Sequence, residues 1–216
     1  MITAQLLVKC LEAHNVKYVF GIPGAKVDTI FDALEDSSIK LILCRHEQNA
    51  TFMAAAIGRL TGEPGVVLVT SGPGVGNLCT GLLTATTEGD PVIAIGGNVE
   101  RSMIHKASHQ SAQNVKMMEA VTKSSKEIYA SSNVPEAVAN AFRLAKAPTS
   151  GACFLSFPQD VLKETTEAKV IKPSSLSFEG RASNPVIEQV AKLVNEAKSP
   201  VLLLGQEASK VHNAEA

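Results

Sequence analysis

The chain has 216 residues, enough for one large domain or for one domain and part of another, and 45% hydrophobic with 19% charged residues excludes wholesale disorder, collagen and coiled coil. Lys plus Arg number 20 and Asp plus Glu 21, so the chain lacks the basic excess of a general nucleic-acid binder. No uncharged apolar run reaches the roughly 18 residues of a membrane span, Met1–Gln5 has no secretion signal, and cysteines at 10, 44, 79 and 153 form neither a zinc nor a disulfide spacing, which together point to a reducing cytoplasm.

Ile2, Leu6, Leu7, Cys10 and Leu11 recur at helical spacing, with Thr3 as the expected cap. Tyr18-Val19-Phe20 reads as a short strand ended by the turn Gly21-Ile22-Pro23-Gly24. A helix over Val27 to Leu34, a strand over Ile39 to Leu43 and a small-residue helix over Glu47 to Leu60 follow. Gly65 to Thr70 is a buried strand, Ser71 to Gly76 a glycine-rich turn, and a helix runs on to about Thr87. Pro91 to Ile95 is a strand closed by Gly96-Gly97, Val134 to Ala147 an amphipathic helix, and Ala152 to Phe157 a strand before Pro158. Apolar strands alternating with helices predict an α/β fold, a doubly wound, mostly parallel sheet with helices on both faces. The expected organisation is a domain over 1–165, a polar linker over 166–184, and the start of a second α/β domain over 185–216, with a helix from Asn184-Pro185 and a buried-type strand over Pro200 to Gly205. One helix and one strand cannot bury their own apolar faces, so this last part reads as cut from a longer polypeptide.

Ligands of such sheets bind at the carboxyl ends of the strands, which directs attention to the turns after Phe20, Leu43, Thr70 and Ile95. Gly72-Pro73-Gly74-Val75-Gly76-Asn77 fails the dinucleotide fingerprint because Asn77 stands where the third glycine belongs. It reads either as a tight strand-to-helix turn or as a loop where backbone approaches a ligand closely. Glu47 is on its own most simply a first-turn helix acid favoured by the macrodipole. Beside Ala50, Thr51, Phe52 and Met53 it is also poorly solvated, and a carboxyl in an apolar cleft can share a proton with a ligand nitrogen. His105 and His109 are i, i+4 without a nearby acid, so no metal ligand set is assigned.

Together these turns carry a resemblance. Val19 to Gly24, Arg45-His46-Glu47-Gln48-Asn49-Ala50, and Val69-Thr70-Ser71-Gly72-Pro73-Gly74 with Asn77 resemble the N-terminal pyrimidine-binding domain of thiamine-diphosphate enzymes. Ser108-His109-Gln110-Ser111, Val121-Thr122-Lys123 and Phe157-Pro158-Gln159-Asp160-Val161 extend the resemblance to the acetolactate synthases, over essentially the whole chain. Gly24-Ala25-Lys26 and His109-Gln110-Ser111 resemble the catabolic, butanediol-pathway type, which does not depend on FAD, an argument against a flavin here.

The resemblance implies an enzyme that uses thiamine diphosphate to decarboxylate pyruvate and join the remainder to a second pyruvate, giving 2-acetolactate and CO2. Glu47 matches the family's activating glutamate, which hydrogen-bonds a ring nitrogen of the aminopyrimidine. Ile22, Pro23, Thr70, Pro73 and Asn77 match residues lining the pyrimidine pocket, and Gln110 a glutamine that reaches the reacting centre from a loop. The resemblance also implies Mg2+ and diphosphate held by a separate C-terminal domain whose Gly-Asp-Gly is absent here, a homodimer or homotetramer, and a fragment that is inactive alone. Pyruvate oxidase or decarboxylase chemistry on the same machinery, and a non-catalytic module retaining the fold, are the alternatives.

Overall fold

In the computed structural model, residues 1–173 and 182–205, with the single residues 180 and 208, are described. Contacts divide the chain into Met1–Ser174 and Ser175–Ala216. The first unit holds a six-stranded sheet built from β1 (Tyr18–Gly21), β2 (Lys40–Leu43), β3 (Gly65–Val69), β4 (Val92–Asn98), β5 (Ser124–Glu127) and β6 (Ala152–Pro158). All pairings are parallel, in the order β2-β1-β3-β4-β6-β5. The helices are α1 (Thr3–Ala13), α2 (Asp28–Glu35), α3 (Glu47–Thr61), α4 (Pro73–Gly76), α5 (Cys79–Thr87), α6 (Asn114–Glu119), α7 (Val134–Lys146) and α8 (Gln159–Lys163).

Strand alternation sorts the core into two layers. Val66 and Leu68 of β3, Ile93 and Ile95 of β4, and Cys153, Leu155 and Phe157 of β6 meet α1, α2, α7 and α8. Val67 and Val69, Val92 and Ala94, and Ala152 and Phe154 face the other way, onto α3, α5 and Met118 of α6. Both faces are therefore covered, as near-continuous apolar strands require. The helix after β1 packs on one layer and the helix after β3 on the other, although β1 and β3 are adjacent. Their carboxyl ends thus border the crevice of a topological switch point.

The structure departs from the sequence reading at several elements. Ile2, not Thr3, occupies the N-cap of α1; Thr3 instead sends its backbone N–H and its hydroxyl to the Glu164 carbonyl, at 2.9 and 3.0 Å. β4 does not close at Gly96-Gly97 but runs to Asn98, paired with β6 through Asn98–Pro158. The helix after the glycine-rich turn is divided into α4 and α5, which meet at Asn77-Leu78. β5 was not expected because Ser-Ser-Lys-Glu carries no apolar run, and an edge strand with one neighbour needs none.

In the second unit, α9 (Asn184–Glu196) exposes Val186, Ile187, Val190, Leu193 and Val194. Residues 200–205 form no strand, and Val201 and Leu203 are fully solvated. The physical reason is that the described residues of this second unit offer the apolar run no strand to pair with. Part of the expected linker, 174–179 and residue 181, lies outside the described residues.

Candidate functional site

Glu47 is the first residue of α3, which carries the chain from β2 back across to β3. His46 caps the helix by accepting the Gln48 backbone N–H on Nδ1 (3.1 Å), and the Thr51 hydroxyl donates to the Glu47 carbonyl (2.9 Å). The Glu47 side chain is half-buried, and its Oε2 accepts a hydrogen bond from Asn77 Nδ2 at 2.9 Å. Asn77 closes α4, so the carboxyl is held between the helix after β2 and the turn after β3.

The second oxygen of that carboxyl, Oε1, has no hydrogen-bond partner among the described residues and borders Gly74, where an added Cβ would lie 3.5 Å from it and 3.0 Å from Thr70 Cγ2. Thr70 continues β3; its Oγ1 is buried and unpartnered, as is the Ser71 hydroxyl. An open carboxyl oxygen, the Thr70 methyl and the Gly74 backbone form a small cradle at the crevice, while Thr70 Oγ1 turns toward Gly24, 2.7 Å from where a Cβ there would stand.

The turn itself is locked from outside. Gly72 has φ +59°, a conformation that an L side chain enters only with strain. A Cβ there would stand 2.8 Å from the Gln110 carbonyl oxygen and 3.0 Å from its Cα. Gln110 is itself left-handed, at φ +60°, and half-buried. The loop between β4 and α6 is anchored at both ends. Arg101 pairs with Asp160 (2.6 Å) and Glu164 and donates to the Tyr129 carbonyl, while Asn114 Nδ2 donates to the Gly97 carbonyl (2.9 Å). Burial pushes the Asp160 carboxyl up, but the hydrogen bonds from Arg101 outweigh it and hold it below its ordinary value.

The structure therefore brings Glu47, Asn77, Thr70 and the Gln110 backbone into one neighbourhood. Pro73 starts α4 and is exposed beside them. Ile22 and Pro23 follow β1 on the same rim, with the Ile22 N–H bonded to the Leu68 carbonyl (3.3 Å), but neither hydrogen-bonds Glu47. His105 and His109 are exposed, and among the described residues no group of three His, Cys, Asp or Glu could hold a metal ion. No described helix is long and apolar enough to cross a membrane. Sequence spacing did not anticipate the Gly72–Gln110 contact, nor the meeting of Lys26 with Gln159, 133 positions apart. Left-handed residues and long-range pairs leave no periodic signal.

Residues 1–120 match the family of thiamine pyrophosphate enzymes, N-terminal TPP binding domain. The chain belongs to this family. It is 52% identical over 207 residues to the acetolactate synthase of Bacillus subtilis (strain 168), covering 96% of this chain and 36% of that protein. It is 48% identical over 213 residues to the catabolic acetolactate synthase of Raoultella terrigena, covering 99% and 38%. The acetolactate synthase isozyme 3 large subunit of Escherichia coli (strain K12) is 35% identical over 210 residues, covering 94% and 36%. The chain thus spans little more than a third of the length of these relatives.

Proposed function

We propose that this chain is the N-terminal part of a thiamine-diphosphate-dependent enzyme that converts two pyruvates into 2-acetolactate and CO2. The observation that carries the reading is the Glu47 carboxyl, fixed by Asn77 and open at Oε1 over the cradle of Gly74 and Thr70. The residues present fit an aminopyrimidine: a carboxyl oxygen for a ring nitrogen, the Thr70 methyl for a ring face, and a glycine where a side chain would fill the space of a flat ring. When bound, thiamine diphosphate supplies the nucleophilic carbon and the electron sink for decarboxylation.

The chain's own residues do the rest. Glu47 holds a proton at the heterocycle's nitrogen, at the position where general acid–base transfer is needed. Asn77 Nδ2 fixes the rotamer of that carboxyl through Oε2, leaving Oε1 to the ligand. Ile22, Pro23 and Pro73 line the rim with atoms that bring no competing donor, and Gln110 enters from the loop seated on Gly72. Mg2+ and the diphosphate are assigned to residues beyond this chain. Leu43, Phe52, Met53, Leu60 and Leu83 are exposed on β2, α3 and α5, which supports self-association as a dimer or tetramer. The setting proposed is the cytoplasm.

Product analysis on the intact protein with pyruvate, thiamine diphosphate and Mg2+ tests this. The expected products are 2-acetolactate and CO2 in equal amounts; acetyl phosphate or acetaldehyde as the main product would refute it.

A further inference from the structure

Lys26 lies in the turn between β1 and α2, half-buried, and its seat is built by three distant segments. Its Nζ donates to Gln159 Oε1 at 3.2 Å. The Gln159 amide is oriented in turn, because its Nε2 donates to the Ala25 carbonyl at 2.7 Å, so the oxygen is the atom left for the ammonium. β4 leaves room for the lysine stem at Gly97, where a Cβ would lie 2.8 Å from Lys26 Cβ and 2.8 Å from Val27 Cγ1. The glycines that the sequence reading took as the end of a strand thus lie inside it, and one of them makes space for this side chain.

The same turn touches the candidate site. A Cβ on Gly24 would stand 2.5 Å from Thr70 Cβ, and Thr70 borders the space over Gly74 beside Glu47 Oε1. Thr70 therefore bridges the turn carrying the ammonium and the cradle carrying the carboxyl, all at the carboxyl ends of β1, β3 and β4.

Charge separates Lys26 from most of the other tethered cations; Arg143, exposed on α7, also meets only an amide oxygen, that of Asn140 three positions before it, at 3.4 Å. Arg59 pairs with Asp90 and Glu88, Arg101 with Asp160 and Glu164, and Lys146 with Glu63. Lys123 reaches three carbonyls at the end of α7. Among the described residues Lys26 forms no ion pair, and its one hydrogen-bond partner is a neutral amide oxygen. An ammonium has three donors. The amide aims it without cancelling its charge and leaves two donors for an anion. Charge-assisted bonds to a carboxylate are roughly twice as strong as neutral ones.

We propose that Lys26 receives the carboxylate of the 2-oxoacid substrate, and that Gln159 is the positioning residue that presents it. The inference rests on the function proposed above and adds the group that selects an anionic substrate.

The test uses the intact protein and two variants. Lys26→Met keeps the stem and removes the charge. The expected result is a KM for pyruvate raised roughly 10–100-fold, the size of one lost charge-assisted bond, with a matching weakening of oxamate, a non-reacting analogue, and unchanged affinity for thiamine diphosphate. Gln159→Glu gives the ammonium a carboxylate of its own. The expected result is a raised KM and weaker oxamate binding with equal or higher thermal stability, whereas a merely structural contact would gain stability and leave KM alone. KM and the oxamate Kd within twofold of wild type in both variants would overturn the proposal. Should the wild-type protein make no acetolactate, the functional reading fails separately, and oxamate binding to the wild type against the variants still decides the role of Lys26.

Discussion

Two glycines with left-handed backbones separate strain from crowding. Gly62 closes α3 at φ +72° with nothing within 4 Å of an added Cβ, whereas Gly72, at φ +59°, has the Gln110 backbone at 2.8 Å. Gly62→Ala is expected to cost about 1 kcal/mol, the penalty of a left-handed L residue. Gly72→Ala carries at least that strain, because ψ −115° lies outside the left-handed helical region, and must also displace a backbone segment tied down at both ends by Arg101 and Asn114, so its cost is expected at about 3 kcal/mol. Urea unfolding measures both. With slopes of about 2–3 kcal/mol/M, the midpoint of Gly72→Ala should fall by about 1 M or more and that of Gly62→Ala by less than half as much, at unchanged slope. Amide exchange in residues 99–113 should quicken only in Gly72→Ala. Equal losses in the two variants would refute the claim that the loop is seated on the turn.

Lys123 donates at 2.6 Å to the carbonyls of Leu144, Ala147 and Thr149, which closes α7; Lys123→Met should cost about 2–4 kcal/mol by urea unfolding. Burial, with nearby Lys146 adding and Glu63 opposing, holds His14 below its ordinary value, and its ring stacks on Phe142 at 4.2 Å. A lowered histidine stabilises the fold above about pH 6.5 and loses that contribution as pH falls through the folded value. His14→Phe should therefore lose less stability than wild type between pH 7.5 and 5, and an identical pH profile would count against this. Burial pushes the Glu127 carboxyl up, against hydrogen bonds from Asn98 and Ser156. Its contribution is full below the ordinary carboxylate range and is lost as pH rises through the raised value. Glu127→Gln should thus be more stable than wild type at pH 7 and not at pH 4.

The parts of the fold legible in the sequence were those written in periodicity. α1 and α7 carry apolar residues at helical spacing, and β3 and β6 are short continuous apolar runs bounded by turn residues. The candidate site was sought at the strand ends, and Glu47 and Asn77, 30 positions apart, do meet there. Nothing in their own types required the meeting; it depends on the chain crossing from β2 back over β1 to β3. β5 escaped notice because it is held by backbone pairing with β6 and by polar side-chain bonds of Ser125 and Glu127, neither of which leaves an apolar pattern. The run Pro200 to Gly205 shows the converse: apolar content alone does not make a strand when no neighbour offers a backbone edge. The extension of β4 through Gly96-Gly97 was misread because glycine usually ends strands, and here it admits Lys26 and Phe154 against the sheet.

The carboxyl at position 47 is the decisive group, and Glu47→Gln in the intact protein, saturated with thiamine diphosphate and Mg2+, probes it most directly. Glutamine keeps an acceptor for Asn77 and the shape of the cradle but cannot hand over a proton. Acetolactate formation from pyruvate is expected to fall at least roughly 100-fold, with the thermal unfolding temperature unchanged. A rate within about threefold of wild type would contradict the account.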